Sequence, residues 1–145
     1  MNIKKGITLI ELLVAMSITA ILSICFSDCI KAFSTYNNSV INDYSENSVL
    51  SFINTCKEYC YFRKTSGLVR FDFVNSKLDF YEGTERKRMW SFPKGFKLSS
   101  VNTESLNINA GGFISNACTI IYKDRTKANH YITVSVGTGY VEIKD

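Results

Sequence analysis

Residues Ile7 to Phe26 form a run of twenty positions in which Glu11 is the only charged side chain. As a helix this run reaches about 30 Å, the thickness of a bilayer's hydrocarbon core. Lys4 and Lys5 precede it and Asp28 follows. The positive-inside rule then keeps the short amino terminus in the cytoplasm and sends the remainder outward, as a single-pass protein with an external domain. A secretory signal wants a shorter apolar core followed by a small-x-small cleavage site, and none follows Phe26. A lipoprotein signal wants a small residue immediately before its cysteine, where Ile24 stands before Cys25. A plain membrane anchor accounts for everything except Gly6 and Glu11.

A carboxylate at the centre of a membrane helix costs about 2.5–3.5 kcal/mol, less near the interface, so Glu11 calls for compensation. Cutting the chain after Gly6 would supply it. Ile7 then carries a new α-ammonium, and Glu11 is its i+4 neighbour on one helical face. In a low dielectric the two attract strongly, within one chain or between adjacent helices, and an interchain pair fixes how far one helix is displaced along the next. Gly6 leaves the scissile bond unobstructed.

The stretch Lys-Lys-Gly-Ile-Thr-Leu-Ile-Glu-Leu-Leu-Val-Ala-Met at positions 4–16 closely resembles the leader of type IV prepilins and type II secretion pseudopilins. Lys4 and Lys5 stand for the basic leader, Gly6 for the glycine before the cut, Ile7 for the apolar first mature residue, Thr8 for the hydroxyl next to it, and Glu11 for the acid at the fifth mature position. The resemblance implies that a membrane aspartyl prepilin peptidase cuts after Gly6 and N-methylates Ile7. Glu11 and Thr8 would then set assembly and register as the helix passes from the bilayer into a filament core. Partners implied are other pilins or pseudopilins, the peptidase and a membrane assembly platform. The destination is an extracytoplasmic filament.

The rest of the chain reads as one α+β unit. The 17 basic against 13 acidic side chains give a net charge of +4, too mild to argue nucleic-acid binding by itself. Loss of residues 1–6 leaves 15 against 13, or +2. Ile30, Phe33, Val40, Ile41, Tyr44, Phe52, Ile53, Cys56 and Cys60 recur mostly at three- and four-residue steps, which describes an amphipathic helix continuing out of the membrane to about Arg63. Unbroken, it would be roughly 85 Å long, and a kink would be cheapest in the Asn- and Ser-rich stretch Tyr36–Ser48. After Gly67 the period changes to two. Leu68–Val74, Lys77–Tyr81, Arg88–Phe92, Phe96–Val101, Leu106–Asn109, Thr119–Tyr122, Tyr131–Val136 and Tyr140–Ile143 read as strands, with a turn at Gly137–Gly139. The expected organisation is a leader at 1–6, a transmembrane or filament-core helix at 7–27, an amphipathic helix at 28–64 and a β-rich head at 65–145. The head is an antiparallel sheet packed on the outer half of a long amino-terminal helix, a pilin-like fold.

From Phe92 to Ile143 the pattern is similar to GspH/FimT-type minor pilins, with Pro93-Lys94-Gly95, Gly111-Gly112 and a glycine before the last strand, although Tyr140 stands where that family often has a basic residue. With no proline near the bilayer boundary and Asp28 at mature position 22, the resemblance implies a minor subunit rather than the shaft subunit. Glu11 implies a place beneath the tip, priming or stabilising assembly. An alternative is a competence-pilus minor pilin whose basic residues Arg86, Lys87, Arg88, Lys94 and Lys97 contact DNA, with Trp90 nearby. The competing reading of Glu85–Arg88 is a solvated loop.

Catalysis is not expected. One His excludes multi-His sites, and no nucleotide loop, nucleophile elbow, metal motif or general acid–base pair is present, so no cofactor is implied. Asp72 and Asp79 look like outer-face hairpin residues, His130 like a solvated or locally bonded imidazole, and Asn109–Asn116 like a mobile loop. The odd set Cys25, Cys29, Cys56, Cys60 and Cys118 contains no C-x-x-C pair and is expected to be free buried thiols; a Cys56–Cys60 bridge is open to the chain but not implied by the spacing.

Overall fold

The computed structural model describes residues 8–136 and 141–144, the last four by backbone only. Helix α1 spans Leu9–Arg63. The chain divides into two compact units, Met1–Ser39 and Val40–Asp145. The division falls inside the Asn- and Ser-rich stretch where a break was expected to be cheapest, although the helical hydrogen bonding runs through it.

In the first unit the apolar side chains of α1 are exposed, Leu9, Ile10 and Phe26 among them. The helix is long and apolar enough to cross a membrane. Its polar side chains are satisfied locally. Ser17 Oγ donates to the Val14 carbonyl at 2.8 Å, Thr19 Oγ1 to Met16 at 2.9 Å and Ser23 Oγ to Thr19 at 2.8 Å. Such back-bonds let hydroxyls sit in a medium that offers no water.

The second unit opens with the outer part of α1. Ser45, Glu46, Val49, Phe52, Ile53, Cys56 and Cys60 are buried, the three- and four-residue spacing of one helical face. The helix ends in a Schellman turn, with Lys64 left-handed at φ 55° and Thr65 N–H donating to the Cys60 carbonyl at 3.2 Å. Gly67 follows where a Cβ would run into the Phe80 ring, so the first strand begins hard against the core.

Eight strands follow: β1 Gly67–Asp72, β2 Lys77–Glu82, β3 Glu85–Ser91, β4 Lys97–Val101, β5 Ser105–Ile108, β6 Cys118–Lys123, β7 Asn129–Val134 and β8 Val141–Lys144. The strand count agrees with the alternation in the sequence, and the turn expected at Gly137–Gly139 lies outside the described residues. The architecture is finer than a single sheet. One antiparallel sheet has the order β3-β2-β1-β5 and the other β4-β6-β7-β8. Inward residues of both sheets join the helix in one core that includes Val69, Phe80, Leu106, Ile120, Tyr122 and Ile132. Ser76 fastens one sheet to the other: its carbonyl accepts from Phe92 N–H at 3.0 Å and its Oγ from Leu98 N–H at 3.1 Å.

Cys56, Cys60 and Cys118 are buried free thiols, and Cys25 and Cys29 are exposed free thiols. The stretch Asn109–Asn116 is braced rather than loose. Asn109 Oδ1 accepts from Gly111 and Phe113 N–H, both at 2.9 Å, and Asn116 bonds Asn107 N–H and the Ser105 carbonyl. Gly112, at φ 75°, lies against the Lys57 carbonyl, where a Cβ would come within 2.9 Å.

Candidate functional site

The first candidate site is the start of α1. Gly6 and Ile7, the residues of the expected cut and methylation, lie outside the described residues. Thr8 and Glu11 are brought together. Glu11 Oε2 accepts from Thr8 N–H at 2.9 Å and from Thr8 Oγ1 at 3.1 Å, while Glu11 N–H donates to Thr8 Oγ1 at 3.3 Å. Thr8 also supplies the carbonyl for the first helical bond, from Leu12 N–H at 3.2 Å. This is a capping box, with Thr8 at the N-cap and Glu11 three residues on. Spacing alone had placed Glu11 opposite the Ile7 amine; the structure adds that the same carboxylate holds Thr8. The bonds to Thr8 engage Oε2. Thr-x-x-Glu before an apolar run was a legible signal for this box.

The basic residues of the head separate into two groups. Arg86, Lys87 and Arg88 lie on β3, an edge strand rather than a solvated loop. Two of them are paired with acids. Arg86 Nη1 stands 3.6 Å from Asp79 Oδ1, and Lys87 Nζ stands 2.6 Å from Glu85 Oε2 and 3.8 Å from Glu82 Oε2. The bond to Glu85 holds the Lys87 ammonium above its ordinary pKa. Arg88 sits in register with Phe80 and, with Trp90, borders a cleft along Tyr44, Ser48 and Thr55 of the helix. A register shift at Phe80/Tyr81 leaves Lys87 as the extra residue of a bulge. Charges and a bulge on an edge strand are the usual guard against edge-to-edge pairing. Lys97 opens β4 on the other sheet, and Lys94 lies in the turn before it. Lys97 pairs with Lys123, and the Lys94 carbonyl accepts from Arg125 Nε at 3.2 Å.

A buried polar joint ties the helix to the second sheet, and sequence reasoning missed it. The Tyr122 hydroxyl lies 2.6 Å from Asn42 Oδ1 and 2.8 Å from Glu46 Oε1. Burial, then the bond to Glu46, pushes the Tyr122 phenol far above its ordinary pKa. His130 stacks on the Tyr122 ring with centroids 5.2 Å apart. Its Nε2 is 3.4 Å from Asp124 Oδ2 and its Nδ1 4.0 Å from Glu46 Oε1. His130 is therefore held locally between two carboxylates. Only its cross-strand place beside Tyr122 could have been inferred from the chain, since Glu46 comes from the helix. Asp72 and Asp79 do not face each other: Asp72 accepts from Asn75, which lowers its pKa, and Asp79 lies beside Arg86.

Comparison with known proteins bears on the amino terminus and on the fold. Residues 1–24 match the prokaryotic N-terminal methylation motif. No curated protein matches the sequence. The fold is similar to that of the minor pseudopilin EpsH from the Type 2 Secretion System of Vibrio cholerae, with a TM-score of 0.58 and 13% identity over 70% of this chain and 94% of that one. It is likewise similar to the type IV minor pilin FimU of Pseudomonas aeruginosa, with a TM-score of 0.56 and 10% identity over 71% of this chain and 87% of that one. The methylation motif at the amino terminus and the likeness to these two structures agree on one point: the chain joins that motif to a pilin-like fold.

Proposed function

We propose that the chain is a minor subunit of a type IV pilus-like or type II secretion pseudopilus filament, cut after Gly6, methylated on Ile7 and acting to prime or stabilise assembly. Before assembly it spans the membrane once, with the head outside the cytoplasm. The observation that carries this reading is Glu11: the one charged side chain in the apolar run that ends at Phe26, in the first turn of the helix, beside the expected cut. The absence of a helix proline and the resemblance of the head to two minor subunits support the minor assignment.

Processing is tested by co-expression with a prepilin peptidase and intact mass measurement. The expected product lacks residues 1–6 and carries one extra methyl; an uncut chain overturns the reading and leaves a membrane-anchored receptor or enzyme. Glu11 then has two jobs that one substitution separates. Glu11→Gln keeps an acceptor for Thr8, since glutamine also completes a capping box. It removes the charge that an α-ammonium needs. The proposal expects Glu11→Gln and Glu11→Ala to be processed yet both to fail to enter the filament. Incorporation of Glu11→Gln at the normal level would reduce Glu11 to a cap.

The DNA-contact alternative is weakened at β3, where Arg86 and Lys87 are paired with acids and act as an edge guard. Lys94 and Lys97 belong to a different surface.

A further inference from the structure

The second sheet turns Leu98, Cys118, Ile120, Tyr122, Ile132 and Val134 toward the core. The alternate residues of β4, β6 and β7 therefore form an outward face. Across its first row Lys97 stands directly opposite Lys123, and Lys123 opposite Asn129. In the next row Ser100 stands opposite Ile121, and Ile121 opposite Tyr131. Tyr131 is 40% exposed. The outward positions of these three strands hold no carboxylate; on the fourth strand, β8, Lys144 stands in register with Tyr131 and Glu142 with Thr133. Next to the first row in the chain stand Arg125 and Lys127 in the exposed β6–β7 loop and Lys94 in the turn before β4.

Like charges directly opposite each other destabilise a sheet, so the Lys97–Lys123 pair is held against its own repulsion. Edge guarding explains Lys97 on the outer strand β4; it does not explain Lys123 on the interior strand β6. None of the five cations makes an ion pair among the described residues. The acid within the loop is turned inward. Asp124 is 6% exposed, and its Oδ1 accepts from Thr126 N–H, Thr126 Oγ1 and Ala128 N–H at 2.7–3.0 Å. Arg125 is fixed over Gly95 by its bond to the Lys94 carbonyl.

We propose that this outward face binds single-stranded nucleic acid, with Lys97, Lys123, Arg125 and Lys127 on the phosphates and Tyr131 as a stacking platform. An open sheet face with a cationic border and an exposed ring suits a strand whose bases are unpaired, because every base presents a π-face to stack while the cations track the backbone. The assignment does not depend on processing or filament entry, so either can fail without the other.

The test is fluorescence anisotropy of the full chain in neutral detergent with a labelled dT20 oligonucleotide. Saturable binding that weakens with salt is expected. Lys97→Glu with Lys123→Glu should weaken it at least about tenfold and make the log–log salt slope shallower by about 1.4, from two lost phosphate contacts. Lys97→Gln with Lys123→Gln serves if the reversed pair fails to fold by circular dichroism, with the same slope change expected. Tyr131→Ala should weaken dT20 about tenfold while Tyr131→Phe restores it, and duplex of equal phosphate count should be indifferent to both. No binding by the parent chain, or unchanged binding by the lysine variants, overturns the proposal. So does preference for duplex with Tyr131→Ala silent. Displacement of dT20 by polyglutamate at equal charge also overturns it, reassigning the face to an acidic protein.

Discussion

Two residues carry more of the head than their size suggests. Ser76 adopts φ 51°, a left-handed conformation that side chains rarely take, yet it is nearly buried and not glycine. The hydroxyl explains the choice, since Leu98 N–H has its partner there. Ser76→Ala keeps the backbone strain and orphans a buried donor, so it should cost about 1–3 kcal/mol in chemical denaturation. Ser76→Gly loses the same bond but relieves the strain and should fall between the two. Tyr122 is the second case. Tyr122→Phe preserves the ring against Phe92 and His130 but removes the proton shared by Asn42 and Glu46, leaving a buried carboxylate one donor short. A loss of about 1–3 kcal/mol is expected, and Glu46→Gln should cost less in the Tyr122→Phe background than alone if the two act as one network.

At the scale of elements, strand β3 shows how composition misleads when position is unknown. Four consecutive charges, Glu85 to Arg88, suggested either a solvated loop or a phosphate contact; on an exposed edge beside a bulge they keep another chain from adding a strand. Replacing Arg86, Lys87 and Arg88 together by threonine should leave the fold intact but make the protein self-associate, read as a concentration-dependent rise in mass by light scattering. Unchanged monodispersity would return the three residues to the pool of ligand contacts. Most strands were legible because alternation is local: Leu68 to Phe73 and Thr119 to Tyr122 announce their faces within a few residues. The division into two sheets was not, because it depends on β5 joining β1 and on β4 joining β6 across intervening segments. The stretch Asn109–Asn116 looked loose for the related reason that its polar residues bond to one another and to β5, which composition does not reveal.

For the molecule as a whole, the Thr8–Glu11 cap was readable because its two residues meet at a fixed local spacing, whereas the Tyr122–His130–Glu46 joint exists only once the helix meets the second sheet. The cysteines follow the same logic. Their odd number excluded full pairing, but their energetic role required the core. Burial pushes the Cys56 thiol up to about 12 and the Cys118 thiol up to about 11, from an ordinary value near 9. Between pH 9 and 11 the unfolded chain therefore releases these two protons while the folded head keeps them. The unfolded state binds fewer protons, so stability falls as pH rises, by about 1.4 kcal/mol per pH unit for each thiol once it is fully ionised in the unfolded state. Thermal unfolding at pH 8, 9, 10 and 10.5 should show a steepening loss above pH 9. Cys118→Ala should be less stable at pH 8 because it opens a cavity, yet lose less with further rise in pH than the parent does. Parallel slopes for parent and variant would mean that the Cys118 thiol ionises as readily in the folded head as in the unfolded chain.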